Sequence, residues 1–307
     1  MERIEKVINE VKKEEIRPFS TGFKFLDRVI GGFYPGQLTT ICGSVDCGKT
    51  AFVIKQINDY AVDQQIPTLL VMTYMDELTF LSCMAAYYCS IETSDVNSVL
   101  YEEQYKKDVD AYLEKLKKAP LFIVNRDWMK DEQFHEKFEG LITSNGIKIV
   151  FVDEINTAYF DPVTYKVPEN YYKSLALKLN IPVVAICFMW NDWDGPGIKP
   201  SLRDIPFYTV EHEQDTIIGL INYEKYGVTL DSNGHDLHDT IHVEILKKKG
   251  RIEKRRFLLP WGDLYLRNNI KKKENTLEQM KKSSGNSIDT LISNLNLSLA
   301  EEEPMPF

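Results

Sequence analysis

Nothing in this chain pairs its cysteines. Cys42, Cys47, Cys83, Cys89 and Cys187 are odd in number, show no C-x-x-C spacing and mostly sit inside apolar runs. Neither a disulfide framework nor a zinc site is expected, and the compartment read from them is a reducing cytoplasm. Positive charge is also short: 37 Lys and Arg face 46 Asp and Glu, for a formal net charge of -9. Bulk electrostatics therefore draws the chain to neither nucleic acid nor an anionic membrane, and either kind of binding needs a local basic patch. Apolar runs of bilayer length are missing. The first residues, "MERIEKVINEVKKEE", carry no apolar core of a secretory leader, so the expectation is a protein that is neither exported nor membrane-spanning. No internal repeat is visible, which sets solenoids aside. What is present, 43% hydrophobic and 11% aromatic residues over a length of 307, suffices for one large α/β domain or two small ones.

Continuous apolar runs occur at Leu38 to Cys42, Thr68 to Thr73, Leu121 to Val124, Lys148 to Asp153 and Pro182 to Phe188. Helical stretches at 78 to 90, 103 to 118, 131 to 143 and 168 to 179 separate most of them, the pattern of a parallel sheet covered on both faces. After Phe188, "TIIGLINYE", "TIHVEILKKKG" and "EKRRFLLPWGDLYLR" read as strands joined by polar turns, an antiparallel extension of the same sheet. Residues 1–16 carry Ile4, Val7, Ile8 and Val11 at helical spacing; this stripe packs either on its own domain or on a neighbouring subunit. Beyond Asn268 the composition becomes that of a linker, so residues 269–307 are expected to form a flexible tail.

The chemistry begins in "ICGSVDCGKTAF". Gly43, Gly48, Lys49 and Thr50 fill the pattern G-x-x-x-x-G-K-[ST]. Glycines let backbone N–H groups close around phosphates, the lysine reaches the β and γ phosphates, and the hydroxyl serves Mg2+. Strand before and helix after complete the required context, so Gly43, Ser44, Val45, Asp46, Cys47, Gly48, Lys49 and Thr50 are the expected ATP-binding loop. Asp153 ends the buried run "IKIVFVDE" and is, with Thr50, the expected Mg2+ holder.

The segments "STGFKFLDRVIGGFYPGQLTTICGSVDCGKTAFVIKQ", "IPTLLVMTYM", "IVFVDE", "NIPVVAICF", "SLRD", "EHEQDTIIGLI" and "ILKKKGRIEKRRF", in this order and spacing, resemble the C-terminal motor domain of DnaB-type replicative helicases. The resemblance spans roughly residues 17–268. It implies a RecA-like α/β fold, ATP hydrolysis at the subunit interfaces of a homo-oligomeric ring, a hexamer in the family, and movement along single-stranded DNA. The N-terminal domain of such helicases has no counterpart here beyond the first short helix.

Carried over residue by residue, the resemblance puts the family's catalytic glutamate on Tyr74, and a phenol is no base near neutral pH. Its phosphate-sensing glutamine falls on Phe188, which has no donor. Its lysine and arginine fingers fall on Lys247 and Lys249, keeping charge without the bidentate guanidinium. Glu154 after Asp153 resembles the acidic pair that other P-loop ATPases use, with the glutamate activating water; it is equally readable as an exposed residue at a strand end. Glu77 lies within a turn of the Tyr74 position and offers a second replacement.

The loops expected to meet DNA are Asn156 to Asn170 and Met189 to Asp204. Tyr159, Phe160, Trp190 and Trp193 supply aromatic faces there, with Lys166, Lys199 and Arg203 as cations; stacking on bases and ordinary packing both remain open. The basic run Lys247 to Arg256 fits a neighbour's phosphates, nucleic acid or a solvated strand face. The terminal "AEEEPMPF" resembles the acidic, Phe-ended tip of bacterial single-stranded-DNA-binding proteins. Glu301 to Glu303 and Phe307 would dock on a basic pocket of a replication protein, the alternative being an inert solubilising tail. Three functions follow: a DnaB-like helicase or helicase-like ATPase, a catalytically impaired ATP-binding adaptor or loader, and another RecA-like ATPase acting in recombination or signalling.

Overall fold

The computed structural model describes residues 17–92, 96–155, 171–189, 201–202, 205, 214–231, 234–249 and 251–267. The expected first helix, most of both expected DNA loops and the tail lie outside the described residues.

The chain opens on a short helix, α1 (Lys24–Ile30), then β1 (Leu38–Gly43), α2 (Lys49–Ile57), β2 (Thr68–Met72), α3 (Glu77–Cys89), α4 (Lys106–Leu116) and β3 (Leu121–Asn125). It continues through α5 (Phe134–Ser144), β4 (Ile149–Asp153), α6 (Tyr171–Leu179), β5 (Val183–Phe188), β6 (Thr216–Ile221), β7 (Thr240–Lys248), β8 (Arg251–Pro260) and α7 (Trp261–Tyr265). The eight strands form one sheet in the order β3-β2-β4-β5-β1-β6-β7-β8. Every pair is parallel up to β6; β6–β7 and β7–β8 are antiparallel. The antiparallel extension therefore starts one strand later than expected. "TIIGLI" joins the parallel block because the long connection after β5 lets the chain return to the same end of the sheet before entering β6, as a hairpin could not.

Strands β1, β2, β4 and β6 are buried along their whole length. In β4, Ile149 and Phe151 face a layer made by α1, α2, α3, α4 and α7, while Val150 and Val152 face the layer of α5 and α6. Two covered faces explain why the sequence shows unbroken apolar runs rather than alternation.

Helix α1 has no counterpart in the sequence reading. Gly31, at φ 86, accepts the left-handed position that ends the helix, and its N–H returns to the Asp27 carbonyl. The Asp27 carboxylate in turn takes the Thr21 N–H at 2.7 Å. On the far side of the sheet, Asp215 of the "EHEQD" segment acts as a knot. Its carboxylate accepts from the Leu38 N–H at 2.8 Å and from the Lys173 ammonium at 2.7 Å, tying the starts of β1 and β6 to α6.

Candidate functional site

The parallel strands deliver the loop 43–50, Asp153 and Glu154 to one end of the sheet, the C-terminal ends of the strands, where open α/β sheets hold ligands. The loop from Gly43 to Gly48 leaves β1 and turns into α2. Gly43 is required by close approach: a Cβ there would stand 2.4 Å from both the Cys47 sulfur and the Leu220 carbonyl oxygen of β6. Gly48 is required by conformation, with φ at 93. Lys49 is buried at 9% exposure. Its ammonium donates to the carbonyls of Gly43 at 3.0 Å and Ser44 at 2.6 Å, and it lies 5.6 Å from the centre of the Phe188 ring. The Phe188 position thus meets the lysine through a ring face, a contact that carries charge attraction but no hydrogen bond.

Asp153, at the end of β4, is also 9% exposed. Burial pushes its carboxyl up to about 6, against the opposing pull of a hydrogen bond with Thr50 and of the Lys49 charge. Glu154 follows it, half-buried rather than exposed. Its own carboxyl is raised by burial, lowered by Lys49 and raised again by Asp153. Thr73, beyond β2, holds its backbone from both sides: the Thr73 hydroxyl donates to the Glu154 carbonyl at 3.0 Å and accepts the Glu154 N–H at 2.7 Å. Lys49, Thr50, Asp153 and Glu154 are therefore brought together electrostatically.

Other expected residues are not drawn into this group. Tyr74 is 86% exposed. Glu77 is exposed at the start of α3, and its carboxylate accepts from Asn125 of β3 at 3.4 Å, on the sheet edge away from β1. The Lys247 side chain is 6% exposed within β7. Lys249 takes a positive φ of 47, with its ammonium 4.8 Å from the Tyr34 ring centre. The buried Cys47 thiol is pushed up by burial, which makes it a poor nucleophile.

A cavity of about 860 Å³ opens from the loop and runs along α2. Thr50 and Ile54 line one side, Tyr87 of α3 another, and Trp261 and Tyr265 of α7 close it. The last two rings are stacked with centres 4.1 Å apart. The sequence reading missed this wall, since α7 lies far from the loop in the chain. Lys225, whose ammonium reaches the loop at Val45 and Asp46, was missed for the same reason.

The Asp153 shift carries a testable sign. Between its unfolded value near about 4 and its folded value of about 6, the folded state holds more proton, so stability falls as pH rises through that window. The cost is absent below the window and complete above it. Asp153→Asn is expected to be more stable than the parent at pH 7.5 by about 1–3 kcal/mol and to lose the advantage near pH 4. Urea unfolding at the two pH values measures this; an equal difference at both would show that the carboxylate is not desolvated.

The sheet order defines a RecA-like α/β domain. The chain belongs to the DnaB-like helicase C terminal domain family, whose model matches residues 19–257. Among curated relatives it is 22% identical over 228 residues to the replicative DNA helicase DnaB of Haemophilus influenzae, covering 70% of this chain and 48% of that one. It is 21% identical over 214 residues to the DnaB of Leifsonia xyli subsp. xyli, covering 67% and 47%. The chain thus spans about half the length of the curated relatives it matches. Among solved structures, a DnaB-like replicative helicase, studied with its interactions with primase, superposes with a TM-score of 0.63 at 17% identity, over 83% of this chain and 63% of that one. A separately solved ATPase domain gives 0.64 at 16% identity over 83% and 93%.

Proposed function

We propose that this chain is an ATP-hydrolysing motor of the DnaB-like helicase kind, working in DNA replication or recombination. The observation that carries the reading is the convergence of Lys49, Thr50, Asp153 and Glu154, the first two of which also line the cavity. The loop 43–50 and Lys49 take the phosphates, the ammonium exchanging two backbone carbonyls for stronger, charged acceptors. The cavity walled by Tyr87, Trp261 and Tyr265 has the size and the aromatic faces for a nucleoside.

The donor set fits Mg2+: Thr50 and Asp153 present hard oxygen atoms, already hydrogen-bonded to each other. They would hold the ion, which when bound neutralises phosphate charge. Glu154, raised in pKa and fixed by Thr73, is the proposed base for the attacking water. Lys249 is the proposed cation offered to a neighbouring subunit's site in a homo-oligomeric ring. Lys247, buried in its own strand, would have to leave that setting to share the role. Single-stranded DNA is the proposed track, and the Phe307 tip a docking element for a replication protein.

One observation favours a second reading, the ATP-binding adaptor with little turnover: the position matched to the family's catalytic glutamate is the solvent-directed Tyr74. Steady-state ATP hydrolysis with and without single-stranded DNA, beside strand separation of a forked duplex, decides between them. The motor reading expects turnover raised by DNA, and unwinding. Tight ATP binding with neither outcome leaves the adaptor.

A further inference from the structure

We infer that Lys225 is a positioning residue for the phosphate loop, holding the Asp46 carboxylate away from the polyphosphate that the loop receives. This rests on the ATP-binding reading above. Asp46 is an awkward residue for its place: a carboxylate at the tip of a loop that takes anions lowers their affinity by like-charge repulsion. It adopts φ 57 and its side chain is 72% exposed, so packing against its own strand and helix does little to restrain it.

The restraint comes from 179 residues along the chain. The Lys225 ammonium lies 2.9 Å from the Asp46 carboxylate and donates to the Val45 carbonyl at 3.1 Å. Lys49 meanwhile takes the carbonyls of Gly43 and Ser44. Consecutive carbonyls of the loop are thus gripped by ammonium groups, two from within and the third from outside. Lys49 is committed to phosphate on the proposed function; Lys225 is left to keep the loop's outer side in shape.

Lys225 is delivered by a braced turn. Strand β6 runs parallel to β1 with Leu220 opposite Gly43, so the chain leaving β6 emerges beside the phosphate loop. The Lys225 N–H donates to the Asn222 side chain at 3.3 Å, and the Glu224 carboxylate accepts the Asp239 N–H at 3.0 Å. Gly227, left-handed at φ 71, ends the turn. Tyr223 packs edge-on against His242 of β7, ring centres 5.3 Å apart. An exposed pair adds little to folding stability, so its leverage falls on the loop it touches.

The test is calorimetric binding of ATP, ADP and adenosine to the full chain, in the parent, Lys225→Ala, Lys225→Arg, Asp46→Asn and the Asp46→Asn/Lys225→Ala double variant. Lys225→Ala is expected to weaken ATP binding by about five- to tenfold and ADP by less, leaving adenosine unchanged. In the Asp46→Asn background the same substitution is expected to cost under about twofold, and Lys225→Arg to retain most of the affinity. An unchanged ATP affinity in Lys225→Ala, a loss as large in the Asp46→Asn background, or a loss shared by adenosine overturns the inference. A parent protein that binds no ATP overturns the nucleotide reading itself, and is recognised because every variant is then equally silent.

Discussion

Replacing Lys49 with methionine is expected to cut ATP affinity by at least about 100-fold and to take turnover to background, while the protein stays folded. The ammonium is nearly buried and points into the loop, so among the described residues it is the cation that the phosphates of a bound nucleotide would meet on the inner side. Losing a charge-assisted contact in such a setting costs about 3 kcal/mol. Methionine keeps the length of the side chain and its packing against Phe188, although the Gly43 and Ser44 carbonyls lose a donor. A stability loss of about 1–2 kcal/mol is therefore expected from urea unfolding. Isothermal titration with ATP gives the affinity. Binding equal to the parent would mean that the loop is not a phosphate site, whatever its sequence pattern.

Glu154→Gln should separate binding from chemistry. With the carboxylate gone and its shape kept, turnover is expected to fall about 100- to 1000-fold while ATP affinity stays within about twofold of the parent. The same change at Glu77, whose carboxylate accepts from Asn125 on the far strand, is expected to alter turnover by less than about twofold. The pH profile adds an independent check. Burial raises the Glu154 carboxyl above the ordinary range, and a base must be ionised to act, so parent turnover should decline as pH falls through that raised value. A glutamine variant as active as the parent would remove Glu154 from the mechanism.

The sheet was legible in the sequence because its buried strands are written as unbroken apolar runs, and the strand–loop–helix around Gly43 to Thr50 because its glycines and lysine have fixed spacing. Asp153 followed from its place at the end of such a run. The rest was hidden for definite reasons. Helix α1 is only 7 residues long, less than two full turns of periodicity. The direction of β6 depends on how the chain returns after β5, and no local pattern records that. Asp215 looks like one acid in a charged segment until Leu38 and Lys173 are seen to converge on it. Thr73 is an ordinary threonine in sequence, yet it holds the backbone of Glu154. Lys225 and the Trp261–Tyr265 wall reach the loop only through the fold.

Strand β1 lies at the centre of the sheet, with β5 on one side and β6 on the other, and the Leu38 N–H closes onto a carboxylate 177 residues later. On a ribosome, β1 is among the first strands to emerge and among the last to find its partners. Chain closure over such separations is slow, and apolar strands waiting for it are exposed to wrong pairing. The loop from Gly43 to Gly48 thus takes its shape late in biogenesis, after β6 has been made. A chain truncated before that strand would have its nucleotide motif intact in sequence and no lateral support on which to hold it.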